Sequence, residues 1–155
     1  MKALRYSTLA VLVALARLSH AQSKDAGAGS AKEKLIGAWH LVAMGETGAD
    51  GKGNQATEIK GTLIYTRDGH MSVQLMYPES EAALNNDYVL NGYEASFGTY
   101  DVNEVAHTVT HHVQGSLTRG LIGKDLTRVL EFSDGRLIIK PANPEEHWSV
   151  TWEHY

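Results

Sequence analysis

The 155 residues contain no cysteine. No disulfide can staple the fold, no thiolate can hold a metal, and neither a cysteine nucleophile nor a lipid-anchoring cleavage site is available. Basic side chains are few, with 14 Lys and Arg against 18 Asp and Glu and a net charge of −4. That balance disfavours nucleic acid and anionic membrane surfaces as partners, since both call for clustered Lys and Arg. The main apolar run, Leu9 to Ala16, falls far short of the roughly 20 residues that span a bilayer. The Gly-x-Ser-x-Gly elbow of hydrolases, the phosphate loop, the dinucleotide fingerprint and His-Glu-x-x-His are all missing. "GKG" at Gly51–Gly53 lies in a polar loop rather than between a strand and a helix.

The first segment reads as an export signal over residues 1–21. Lys2 and Arg5 precede the apolar run, and Ser19-His20-Ala21 places small residues at the −3 and −1 positions of a cleavage site. A soluble periplasmic or secreted protein without a membrane anchor is expected. Cleavage after Ala21 removes three basic residues and no acid, which takes the net charge from −4 to −7. Residues 22–30, "QSKDAGAGS", are small, polar and Gly-rich and are expected to form a disordered leader. Residues 31–155 suffice for one domain with one core.

Most of that domain alternates apolar and polar residues with short turns between. Strands are expected at Trp39–Met44, Thr62–Thr66, Met71–Met76, Phe97–Val102, Thr108–Gln114, Thr127–Phe132, Leu137–Lys140 and Trp148–His154. One short helix is expected between the third and fourth strands, over Glu79–Asn91, opened by Pro78 and stopped by Asn91-Gly92. A helical turn at Ala31–Leu35 leads into the first strand. Eight short antiparallel strands suit an all-β, up-and-down barrel, whose closure removes unpaired edges. A two-sheet sandwich is the alternative.

Turn chemistry assigns faces. "TRDGH" (Thr66–His70) suits a three-residue loop with Gly69 left-handed, which puts Leu63, Tyr65, Met71, Val73 and Leu75 on one face. "SDGR" (Ser133–Arg136) suits a two-residue Asp-Gly turn, so Arg128 shares a face with Leu130, Phe132, Leu137 and Ile139. In "DVNEVAHTV" even positions before the turn face odd positions after it. Tyr100 and Val102 then join His107, Val109, His111 and Val113. The pleat splits the adjacent histidines of "VTHHVQGS", His111 inward and His112 outward. His107 and His111 share a face but stand about 13 Å apart along a strand, too far to ligate one metal at about 2.1 Å. No metal site and no cofactor are expected.

Gly37-Ala38-Trp39 opens the first strand, as the Gly-x-Trp of lipocalins does. Together with "GTLIYTRDGHMSVQLM" (Gly61–Met76), "GYEASFGTYDV" (Gly92–Val102), "VTHHVQGSL" (Val109–Leu117) and the final "TWEHY", it makes the chain resemble the lipocalin-like domain proteins of bacteria and fungi. The resemblance spans about Leu35 to Tyr155. It implies an eight-stranded barrel around a central cavity, and no settled activity. Arg67 stands where many similar sequences carry Pro, and Leu121 where they carry a loop Trp.

The inward polar set is Tyr65, Tyr100, His107, His111 and Arg128. A cavity lined by Tyr65, Val73, Tyr100, Val109, His111 and Arg128 is expected to bind a small apolar or amphipathic molecule. The alternative is a cofactor-independent cyclase, dehydratase or isomerase with His111 as acid or base and Tyr100 beside it. Arg128 is expected either to pair an anionic group or to cap the floor residue Trp39 by stacking. Gly98, inward beside Tyr100, is expected to leave interior space. No repeat, coiled coil or large exposed apolar stripe marks an oligomer interface.

Overall fold

A computed structural model describes residues 29–47, 53–56 and 58–155. The expected export segment and residues 22–28 of the leader lie outside the described residues. Ser30, expected in the leader, instead caps a helix. Its hydroxyl accepts from the Glu33 amide at 3.2 Å, and the Glu33 carboxylate accepts from the Ser30 amide at 3.0 Å. This reciprocal capping box satisfies amide donors that a helix leaves unpaired at its start, and it begins α1 (Ala31–Leu35). Glu104, from a distant turn, accepts from the amides of Ala31 and Lys32 at 2.8 and 3.1 Å, tying α1 across one end of the molecule.

The strands are β1 (Gly37–Thr47), β2 (Gly53–Ala56), β3 (Lys60–Tyr65), β4 (His70–Met76), β5 (Tyr93–Asn103), β6 (Thr108–Ser116), β7 (Asp125–Ser133), β8 (Arg136–Pro141) and β9 (Trp148–His154). Each is antiparallel to its neighbours. β9 pairs back onto β1 from Trp39↔His154 to Glu46↔Trp148, so the sheet closes. β2 and β3 both lie on one edge of β1, opposite Met44–Thr47 and Gly37–His40, and act as one interrupted wall strand. The result is the eight-walled up-and-down barrel. β2 was not expected, because "GNQA" has neither β-branched residues nor alternation to mark it.

The expected turns form. Gly69 has φ +90° and donates its amide to the Thr66 carbonyl at 3.2 Å. Asp134 and Gly135 have φ of +51° and +78°, the two positive values that a two-residue type I′ hairpin requires. The registers follow, with Leu63↔Val73 and Tyr65↔Met71 on one hairpin and Leu130↔Ile139 on the other.

The helix expected at Glu79–Asn91 does not form. A 3-10 turn covers only Glu79–Glu81. Beyond it asparagine side chains bond to nearby backbone: Asn86 Oδ1 accepts from the amides of Tyr88 and Val89, and Asn85 Oδ1 from that of Asn91. These local bonds compete with helical ones. They hold a loop that drops Val89 into a buried position. Among the described residues no helix is long and apolar enough to cross a membrane.

The barrel ends differ. One carries α1 and the tight turns, and the other carries the long connections. At the tight end Trp39 is buried, donates Nε1–H to the Leu35 carbonyl at 2.8 Å and stacks on His154 with ring centroids 3.5 Å apart. Gly37 is needed beside this pair. Its φ is +143°, and a Cβ there would strike the His154 ring. Trp39 thus plugs the floor without Arg128, contrary to the stacking expectation.

Candidate binding cavity

Above that floor the barrel encloses a cavity of about 540 Å³. Leu63, Val73, Leu75, Ile139, Val150 and Trp152 supply apolar wall, each projecting inward from its strand. Leu84, Tyr88 and Val89 of the loop after β4, with Met44, Leu126 and Trp148, line the end where the long connections lie. The polar groups are concentrated in Glu94, Ser96, His111 and Arg128, with Tyr77 and Asn86 nearer the loop.

Of the six residues expected to line the cavity, Val73, His111 and Arg128 do. Tyr65, Tyr100 and Val109 do not, and this corrects the expectation. All three are buried. Tyr65 and Tyr100 pack edge to face at 4.8 Å, and the Tyr100 hydroxyl donates to the Thr66 carbonyl at 2.9 Å. Alternation had identified their face correctly but not their depth along the barrel. Tyr100 is the cross-strand neighbour of His111 but does not line the cavity. His107 is also corrected. It sits exposed in the β5–β6 turn with φ +51°, so the inward alternation begins only at Val109.

His111 and Tyr65 form a neutral pair, with the Tyr65 hydroxyl 2.6 Å from His111 Nε2. Burial, then the charges of Arg128 and His112, push the imidazole down to about 3, so it is uncharged at neutral pH. Burial likewise raises the Tyr65 phenol, which keeps its proton. Among the described residues the buried hydroxyl has no other acceptor, so the pair is satisfied when it donates to Nε2. The ring proton then resides on Nδ1, a hydrogen-bond donor on the cavity wall. His112 faces outward as expected, its two ring nitrogens 2.6 and 3.0 Å from Asp125 and Asp101, and these bonds raise its pKa. No group of three His, Asp or Glu side chains among the described residues is arranged to hold a metal.

Glu94 was missed. It pairs with Leu75 and faces inward, two residues before Ser96 on the same side of β5. The expected strand began at Phe97, so the alternation was not carried back through "YEAS", where it reads Glu94, Ser96 inward. Burial pushes its carboxyl up to about 7, with Arg128 pulling the other way. The Ser96 side chain is buried on the same wall.

Arg128 is 9% exposed. Its guanidinium lies over the Trp148 ring at 4.9 Å and the Tyr88 ring at 5.4 Å. Among the described residues its one hydrogen bond runs from Nη1 to the Thr127 carbonyl at 3.3 Å.

Gly98 leaves no open space. It sits at the bulge where β5 shifts register against β6, and a Cβ there would overlap the His112 carbonyl oxygen. The cavity lies elsewhere.

The lipocalin-like domain family matches the chain over residues 36–154. Solved structures of similar shape include a lipocalin-like protein from Bacteroides uniformis, 13% identical, TM-score 0.48, covering 79% of this chain and 99% of that one. An uncharacterized protein from Bacteroides eggerthii is 14% identical, TM-score 0.46, over 78% and 99%. A variant of the fluorescent protein UnaG is 13% identical, TM-score 0.41, over 79% and 97%. Comparison with curated proteins finds no match.

Proposed function

Because the chain belongs to the lipocalin-like domain family, we propose that it binds one small amphipathic molecule inside its barrel. The observation that carries this reading is the 540 Å³ cavity with apolar walls and a few convergent polar groups. That size and composition are typical of small-ligand sites, where apolar surface supplies affinity and sparse polar groups fix orientation. His111 fits a positioning role better than proton transfer, being neutral at working pH with Nε2 already engaged. The reading includes export, supported by the sequence of residues 1–21.

The test uses N-phenylnaphthylamine, a neutral apolar fluorophore. It is expected to bind with one-to-one stoichiometry and a blue-shifted emission. Val73→Trp places an indole in the cavity, where it should abolish binding while near-ultraviolet circular dichroism stays native. Equal binding to wild type and Val73→Trp would put the probe outside the barrel and defeat the proposal.

A further inference from the structure

Among the described residues Arg128 is a buried cation that forms no ion pair. A guanidinium offers five N–H donors, of which one reaches the Thr127 carbonyl. None of the ion pairs within 4.0 Å among the described residues includes Arg128. The indole of Trp148 and the ring of Tyr88 hold the guanidinium by their faces, an attraction that uses none of its N–H donors, and the residue lines the cavity. A buried charge in this condition is costly unless something pairs with it. The other polar groups on the strand walls of the cavity are Ser96, His111 and Glu94, with Tyr77, Glu81 and Asn86 toward the loop, and Ser96 and His111 can each donate a hydrogen bond.

We propose that the cavity selects an apolar carboxylic acid, its carboxylate docked on the Arg128 guanidinium and its apolar body against Leu75, Val150 and Trp152. This rests on the cavity-binding reading and specifies the ligand's polar end. A carboxylate supplies the missing counter-ion in bidentate geometry, the match for which a guanidinium fork is suited. The Nδ1–H of neutral His111 is a further donor on that wall.

Glu94 makes the capture pH-dependent. The charged and titratable groups around it are Arg128 on β7, His111 on β6, and Tyr77 and Glu81 on the segment after β4. His111 stays neutral and Tyr77 protonated through the physiological range, and Glu81 is exposed. Glu94 is thus the group that changes charge near pH 7. Protonated, it leaves Arg128 free for an anion. Ionised, it competes with that anion. Carboxylate affinity is therefore highest below pH 7 and falls as pH rises through that value, with proton uptake on binding.

Displacement of bound N-phenylnaphthylamine by decanoate, decanol and decyltrimethylammonium tests this, because the three share a chain and differ in the head group. At pH 6 decanoate is expected to bind about tenfold tighter than decanol, as one charge-assisted contact implies, and decyltrimethylammonium most weakly. Arg128→Met should erase the preference. Glu94→Gln should keep it at both pH 6 and pH 8.5, whereas in wild type it shrinks at the higher pH. If Arg128→Met does not fold, wild type and Glu94→Gln decide through that pH series. Probe binding with decanoate no better than decanol at pH 6 would overturn the carboxylate assignment and leave the cavity reading intact. No probe binding at all would overturn both.

Discussion

On one cavity wall, Glu94 and His111 are driven in opposite directions by the same cause. Burial penalises whichever form is charged, so the carboxyl rises to about 7 and the imidazole falls to about 3. Both are mainly neutral in the empty barrel below pH 7, and Arg128 is the lasting charge. The raised carboxyl also has a consequence for stability. Below its ordinary value of 4.5 Glu94 is protonated folded or unfolded and costs nothing. As pH rises from there the unfolded chain releases its proton first, so stability falls, and the loss is complete above about 7. Glu94→Gln should therefore exceed ligand-free wild type by on the order of 2–3 kcal/mol at pH 8.5. The gap should close toward pH 4, as read by urea denaturation across a pH series. A gap constant with pH would show that Glu94 is not buried. The sequence contained the signal for this residue, since alternation continued two steps beyond Ser96 places it inward. Its pKa was not legible there, because desolvation depends on what the other strands bring around it.

The strands and turns obeyed local rules closely. Positive φ at Gly69, Asp134 and Gly135 fell where the turn residues required it, and the registers of those hairpins followed. His111 inward and His112 outward were likewise fixed by the pleat. Besides β2, two readings failed. The segment after Pro78 has helix formers early, yet Asn85 and Asn86 cap its backbone and the burial of Val89 rewards the loop. Gly98 was read as empty space, when its missing side chain instead admits the backbone of β6 at a bulge. Gly98→Ala should accordingly destabilise the fold by more than about 2 kcal/mol and increase amide exchange along β5 and β6. A stability within about 0.5 kcal/mol of wild type would mean that the bulge yields. Gly98→Trp, which an open space would have accepted, is expected to unfold the chain rather than fill the cavity.

At the scale of the whole molecule, the domain has no disulfide to rely on and rests on closure of the sheet and on its floor. α1, Trp39 and His154 seal one end, with Glu104 of the β5–β6 turn fastening the helix across that same end. The proposed export rests on the sequence of residues 1–21. N-terminal sequencing of protein recovered from the periplasm or medium should begin at Gln22, and recovery of chains starting at Met1 would refute cleavage after Ala21. The sequence by itself determined eight of the nine strands, most of their inward faces, the tight turns and the closed barrel, because alternation and turn chemistry act between residues near one another in the chain. Only the tertiary structure decided which inward side chains reach the cavity. Tyr65, Tyr100 and Val109 share a face with His111 and Arg128, but depth along a barrel depends on strand tilt, bulges and the loops that fold over the mouth. Those arise from pairings between distant segments, and so does the position of the Arg128 charge between Trp148 and Tyr88.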